Sequence, residues 1–150
     1  MAISLKENLT LLEVISSVDD AVRCSPEKYT EYLKTLDESL LELDENIVPT
    51  RFVLNCKLSY TATQSVKRQQ MKIDKSSGEM EIDPSFYLEE IRLSLCDIKT
   101  PGEGLEFKAD KQGFAERDLI AKLDRANIVM ELFAALSNMK ASQKDKLKKS

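Results

Sequence analysis

Apolar residues recur along this chain in two different periods, and the changes between them mark out its elements. Leu5, Leu9, Leu12, Ile15 and Val18 fall three or four positions apart, which predicts a short amphipathic helix that ends at Asp19 and Asp20. Ser25-Pro26-Glu27 is a helix start. The serine side chain can accept from a free backbone N–H, proline suits the first helical position, and an acid favours the positive end of the dipole. Tyr29, Tyr32, Leu33, Leu36, Leu40, Leu43 and Ile47 then form an apolar stripe, opposite Glu31, Asp37, Glu38, Glu42 and Glu45. Pro49 disfavours helix at the residue before it and is predicted to end this second helix.

From Arg51 to Tyr60 the period falls to two. Phe52, Leu54, Cys56, Leu58 and Tyr60 alternate with the intervening residues, as in a half-buried strand. Thr61-Ala62-Thr63-Gln64 is like a capping box and predicts a short polar helix to about Met71. Asp74 to Glu79 is a turn signal, and the alternation of Met80-Glu81-Ile82 allows a small hairpin with Met71 to Ile73. Asp83-Pro84 opens another helix, with Tyr87, Leu88, Ile91, Leu95 and Ile98 on its apolar side. Lys99 to Gly104 is a loop, and Leu105 to Gly113 is irregular apart from a short extended piece at Leu105 to Phe107. A last helix is predicted from Ala115 to Met139, carrying Leu119, Ile120, Leu123, Ala126, Met130, Phe133, Ala134 and Leu136.

The fold class expected is mainly α with a small β element, an α+β chain. One domain is expected over residues 1–139, a helical pair over 1–50 followed by 51–139, with a flexible basic tail over 140–150. Only four Gly and four Pro punctuate the chain, too few for the turns of an all-β sandwich or barrel. Aromatics are few and Trp is absent, so the core must be mostly Leu, Ile and Val.

Charge changes the picture of partners. The formal net charge is −4, but residues 140–150 hold five Lys and one Asp, which leaves −8 on residues 1–139. An acidic body argues against non-specific nucleic-acid binding. The basic segment reads most simply as a solubilising terminus; an acidic partner, RNA or a membrane is the other reading. Cys24, Cys56 and Cys96 are odd in number and far apart, unlike a disulfide framework. Cys56 and Cys96 lie in apolar patterns and are expected as buried thiols in a reducing compartment. Met1 to Thr10 lacks the apolar stretch of a secretory signal, and no apolar run reaches the ~20 residues that span a bilayer.

Histidine is absent, which removes the usual general base, metal ligand and partner of a nucleophilic Ser or Cys. No Cys pair has zinc spacing, and Gly102 and Gly104 belong to no phosphate-binding motif. The carboxylate pairs Asp19-Asp20 and Glu89-Glu90 are expected on solvated faces or helix ends. Lys67-Arg68 is a weak nucleic-acid signal. No enzyme activity, cofactor or metal is therefore expected. Leu132, Phe133, Leu136 and Met139 crowd the end of the last helix, a surface that could receive a partner's amphipathic helix. The simpler reading packs that face on the Tyr29–Ile47 helix. A groove lined by Leu33, Leu36 and Leu40 is a second candidate.

The stretch from Phe52 to Met139 resembles the tail assembly chaperones of tailed phages, particularly those of contractile-tail and phage-like elements. The order of elements carries the resemblance: the extended Phe52 to Tyr60 segment, the polar Thr63 to Arg68 helix and the charged turn Asp74 to Glu79. Phe86-Tyr87-Leu88-Glu89-Glu90-Ile91 follows, leading to the loop at Pro101. Asp118 to Leu123 then leads into the closing helix Ile128 to Leu136. The resemblance implies a non-enzymatic protein of the bacterial host cytoplasm. It would bind and solubilise the tape measure protein, with tail tube protein as a further partner and room for a homo-oligomer. It implies no nucleic-acid or membrane role. Family members often occur in a short form and a frameshifted long form. The competing expectations are a phage-encoded inhibitor acting through an acidic surface and a structural tail or adaptor component. A carboxylate-only enzyme is the remaining one.

Overall fold

The computed structural model describes residues 11–56, 71–73, 80–82 and 86–148, with side chains over 11–56 and 86–141. Its elements run β1 (Leu11–Val14), α1 (Pro26–Thr35), a 3-10 turn (Glu38–Leu41), β2 (Arg51–Asn55), β3 (Met71–Ile73), β4 (Met80–Ile82), α2 (Phe86–Ser94), β5 (Leu95–Lys99), α3 (Arg117–Arg125) and α4 (Ile128–Lys148). The chain is mixed α+β, with more sheet than its periodicity suggested.

The central sheet is antiparallel in the order β1-β2-β5. Its register explains the burial. Val14, Phe52 and Ile98 lie side by side, as do Leu12, Leu54 and Leu95, and all six are buried. This apolar face meets α4 along β1 and α2 along β2 and β5. The opposite face carries Glu13, Arg51, Asp97 and Lys99. Arg51 and Lys99 are direct cross-strand neighbours, and their repulsion is offset by Glu13, which pairs with both, and by Glu38, which hydrogen-bonds Arg51. A bulge between Val53 and Leu54 shifts the register and leaves Cys96 exposed, its Sγ 3.4 Å from the Val53 carbonyl. The expectation of a buried Cys96 is thus corrected, whereas Cys56 is buried.

Several predicted helices end early or take another form. Residues 11–14 form β1 rather than helix, because Leu12 and Val14 face the core while Glu13 points outward, and pairing with β2 overrides the spacing of three and four. Residues 15–18 form a loop and turn instead of helix, and residues 5–10 of that prediction lie outside the described residues. Helix α1 has the expected cap, with Lys28 N donating to the Ser25 hydroxyl and Pro26 at its start. It stops at Thr35, not near Pro49. Leu36 takes a left-handed conformation (φ 60°), and the Asp37 carboxylate accepts from Ser39 N to start the 3-10 turn, a local bond that competes with continued helix. The long last helix is likewise two. Asn127 turns left-handed at φ 63° between α3 and α4, a conformation asparagine tolerates better than most residues. Helix α2 gives way to strand at Leu95, so Leu95 and Ile98 belong to β5. No strand forms at Leu105 to Phe107; an isolated bridge joins Ala109 to Ala115 instead.

The hairpin allowed by the sequence is present as β3 paired with β4. The expected helix over residues 61–70, the turn over 74–79 and the Asp83 cap lie outside the described residues. Helix α4 continues to Lys148, through most of the segment expected as a flexible tail.

Candidate partner interface

Helices α1 and α4 pack directly on each other, so the two apolar faces singled out by periodicity largely cover one another. Leu132 and Leu136 are fully buried and are corrected from partner-contact candidates to core residues. Phe133, Met139, Leu33, Leu36 and Leu40 are half-buried and packed against the core. The Asn138 side chain locks the two helices by donating to the Leu33 carbonyl at 2.9 Å.

Phe133 also belongs to an aromatic edge between α2 and α4. Its ring centroid lies 5.5 Å from Phe86 and 6.1 Å from Tyr87, the first pair edge-on. All three rings keep partial solvent exposure. Lys140 closes the same side through a 2.7 Å bond to Glu90.

Glu89 departs from the solvated position expected for it. It is buried, and both its oxygens accept from Arg92, whose third bond reaches Asp110 at 3.1 Å. Asp110 is presented by a tight turn in which its other oxygen accepts from Gln112 N and Phe114 N, with Gly113 at φ 88° completing the reversal. The Arg92 hydrogen bonds hold the Glu89 carboxyl below the usual carboxylate range against the opposing effect of burial, the reverse of what a general acid needs. The first acidic pair is equally occupied in part. Asp19 accepts from Ala21 N at 2.9 Å and Thr50 N at 2.8 Å, which pins the loop after β1 to the start of β2.

That loop is fastened on its other side as well. Ile15 N donates to the Tyr32 hydroxyl at 3.1 Å, the Tyr29 hydroxyl donates to the Ile15 carbonyl at 2.9 Å, and Glu131 of α4 accepts from both Ser16 and Ser17. Burial pushes both tyrosine phenols upward in pKa, so each remains a neutral hydroxyl at physiological pH.

The fastened loop forms one lip of a groove of about 380 Å³. Its floor includes Phe52, Leu105 and Ile128, and its lips carry Val18 and Val48, exposed by 62% and 72%. Its ionisable lining among the described residues is Asp19 and Asp20. Neither valine carries a signal of exposure in the sequence: Val18 continues the spacing of Leu12 and Ile15, and Val48 sits in an aperiodic stretch.

No family model, curated protein or solved structure matches the chain.

A second cleft of about 480 Å³ lies between α2 and α3, lined by Leu88, Ile120 and Ala121 together with Glu89, Arg92, Arg117, Asp124 and Arg125. Its charges are mixed, and the two most buried of them satisfy each other. Among the described residues no group of three metal-ligating side chains occurs, and no helix is long and apolar enough to cross a membrane.

Proposed function

We propose that this chain is a non-enzymatic tail assembly chaperone, which binds the tape measure protein and keeps it soluble during tail morphogenesis in the bacterial cytoplasm. The observation that supports the reading is the aromatic edge of Phe86, Tyr87 and Phe133, three clustered rings left partly open to water on a helical surface. Aromatic side chains offer a large contact area at low entropic cost and are the usual anchors of protein recognition. A long helical client with repeated apolar stripes would meet many such anchors, each weak, and gain avidity from their number. The edge includes Phe133 from the end of the last apolar stripe, whereas its neighbours Leu132 and Leu136 are enclosed in the core.

The test is co-expression with the tape measure protein. The client is expected in the soluble fraction with the wild-type chain, and largely in the pellet with a Phe86→Ser variant whose circular dichroism is unchanged. A client no more soluble with the wild-type chain than without it overturns the reading. So does recovery of the chain as a stoichiometric part of finished particles, because an assembly factor leaves.

A further inference from the structure

We propose that the groove between Val18 and Val48 receives the basic end of α4 from a second copy of the chain, joining copies head to tail. The proposal stands on contacts within this chain type and does not depend on the chaperone reading.

The groove combines two features that together select an occupant. Its apolar floor and valine lips suit one large apolar side chain, and its ionisable lining is acidic with no base among the described residues. Asp20 is exposed at the rim. Along the sequence, residues 11–56 hold ten acidic and four basic side chains, an excess of −6. The complementary ligand is an apolar residue flanked by cations.

The chain contains such a segment. Lys144 to Lys149 places a single large apolar residue, Leu147, among Lys144, Lys146, Lys148 and Lys149, with Asp145 the one acid and a net charge of +3, and the helix runs as far as Lys148. A helix C-terminus also favours this concentration of cations.

Geometry forbids the groove and the basic segment of one molecule from meeting. Ile128 lines the groove and begins the helix that carries Leu147. At a rise of 1.5 Å per residue the two are separated by about 28 Å along the axis. The helix runs unbroken from Ile128 to Lys148, and Glu131, Asn138 and Lys140 tie it at successive points to the loop after β1, to α1 and to α2. The two surfaces therefore serve different copies. Groove and basic end are different patches, so the contact is heterologous, and repetition yields an open chain of copies unless the rotation closes a ring.

The experiment is sedimentation velocity of the full chain over a range of concentrations. At low ionic strength the average mass should rise with concentration beyond that of a dimer, and high salt should reverse the rise. Val48→Asp blocks the groove at an exposed position, and Asp20→Lys does so by charge alone; either should leave a monomer. Leu147→Ser with Lys146→Glu and Lys148→Glu should also leave a monomer. A mixture of Val48→Asp with this α4 variant should form dimers and nothing larger, since one intact groove and one intact basic end remain. Combining Asp20→Lys with Lys146→Glu and Lys148→Glu in one chain should restore assembly. A wild-type chain monomeric at every concentration overturns the proposal, and so does association that persists in Val48→Asp and Asp20→Lys. Client solubility is read separately, so failure here and failure of the chaperone reading are distinguishable.

Discussion

Arg92 grips Glu89 from one turn further along the same helix, with Nε and Nη2 donating to separate carboxylate oxygens at 3.0 and 2.7 Å. Both side chains are about nine-tenths buried, at 10% exposure each. Removal of one partner strands a charge in the interior, so Arg92→Ala should cost about 3–5 kcal/mol in urea unfolding. Glu89→Gln keeps a hydrogen-bonding group and should cost about 1–3 kcal/mol. The Arg92 hydrogen bonds lower the folded-state pKa of Glu89 below its ordinary 4.5. Its contribution is therefore complete above that value and is lost as pH falls through the depressed one. Acidification below about pH 4.5 should weaken the wild type more steeply than Glu89→Gln.

Leu132 and Val48 lie at opposite extremes of burial. Leu132 is fully enclosed, so Leu132→Ala should destabilise by about 2–5 kcal/mol, the usual cost of a core cavity. Val48 is 72% exposed, so Val48→Asp should stay within about 0.5 kcal/mol of the wild type. Thermal unfolding of the two variants checks both.

How much of this was legible beforehand depended on whether a signal was local. The Ser25 cap, the Arg51–Asn55 strand, the loop at Pro101 and the hairpin of Met71–Ile73 with Met80–Ile82 are set by neighbouring residues and were readable. Strand β1 was not, since Leu11 to Ile15 is apolar at four of five positions and fits either period until β2 supplies a partner. The breaks at Leu36 and Asn127 interrupt apolar stripes that run on in sequence, so periodicity joined what backbone geometry divides. At the candidate interface the simpler of the two expectations is the one found: the face carrying Leu132 and Leu136 is covered by the helix that carries Tyr29 and Tyr32. Val18 continues an apolar spacing that implies burial, and Val48 belongs to no pattern, so the sequence marks neither as exposed.

The tyrosine pair that anchors Ile15 can be taken apart. Tyr32 accepts from Ile15 N and Tyr29 donates to Ile15 O. Tyr32→Phe leaves a buried backbone donor without its acceptor and should cost about 1–3 kcal/mol, and Tyr29→Phe about 1 kcal/mol. Hydrogen exchange at the Ile15 amide should accelerate in Tyr32→Phe and stay close to wild type in Tyr29→Phe.

The exposed Asn127 offers a conformational test. At φ 63° a β-carbon is disfavoured, so Asn127→Ala should lose about 1 kcal/mol while Asn127→Gly should be neutral or slightly stabilising. Guanidinium midpoints of the two variants should therefore fall on opposite sides of, or one well below and one at, the wild-type value.

Helix α2 passes into strand β5 between Ser94 and Leu95 with no residue between them. A joint of zero length has no slack, so a tilt imposed on the helix is delivered undamped to the sheet margin, and the two behave as a single lever. Amide protons from residue 86 to 99 should accordingly be released in one cooperative opening. A single glycine inserted at that joint would act as a universal coupling and let the helix fray alone.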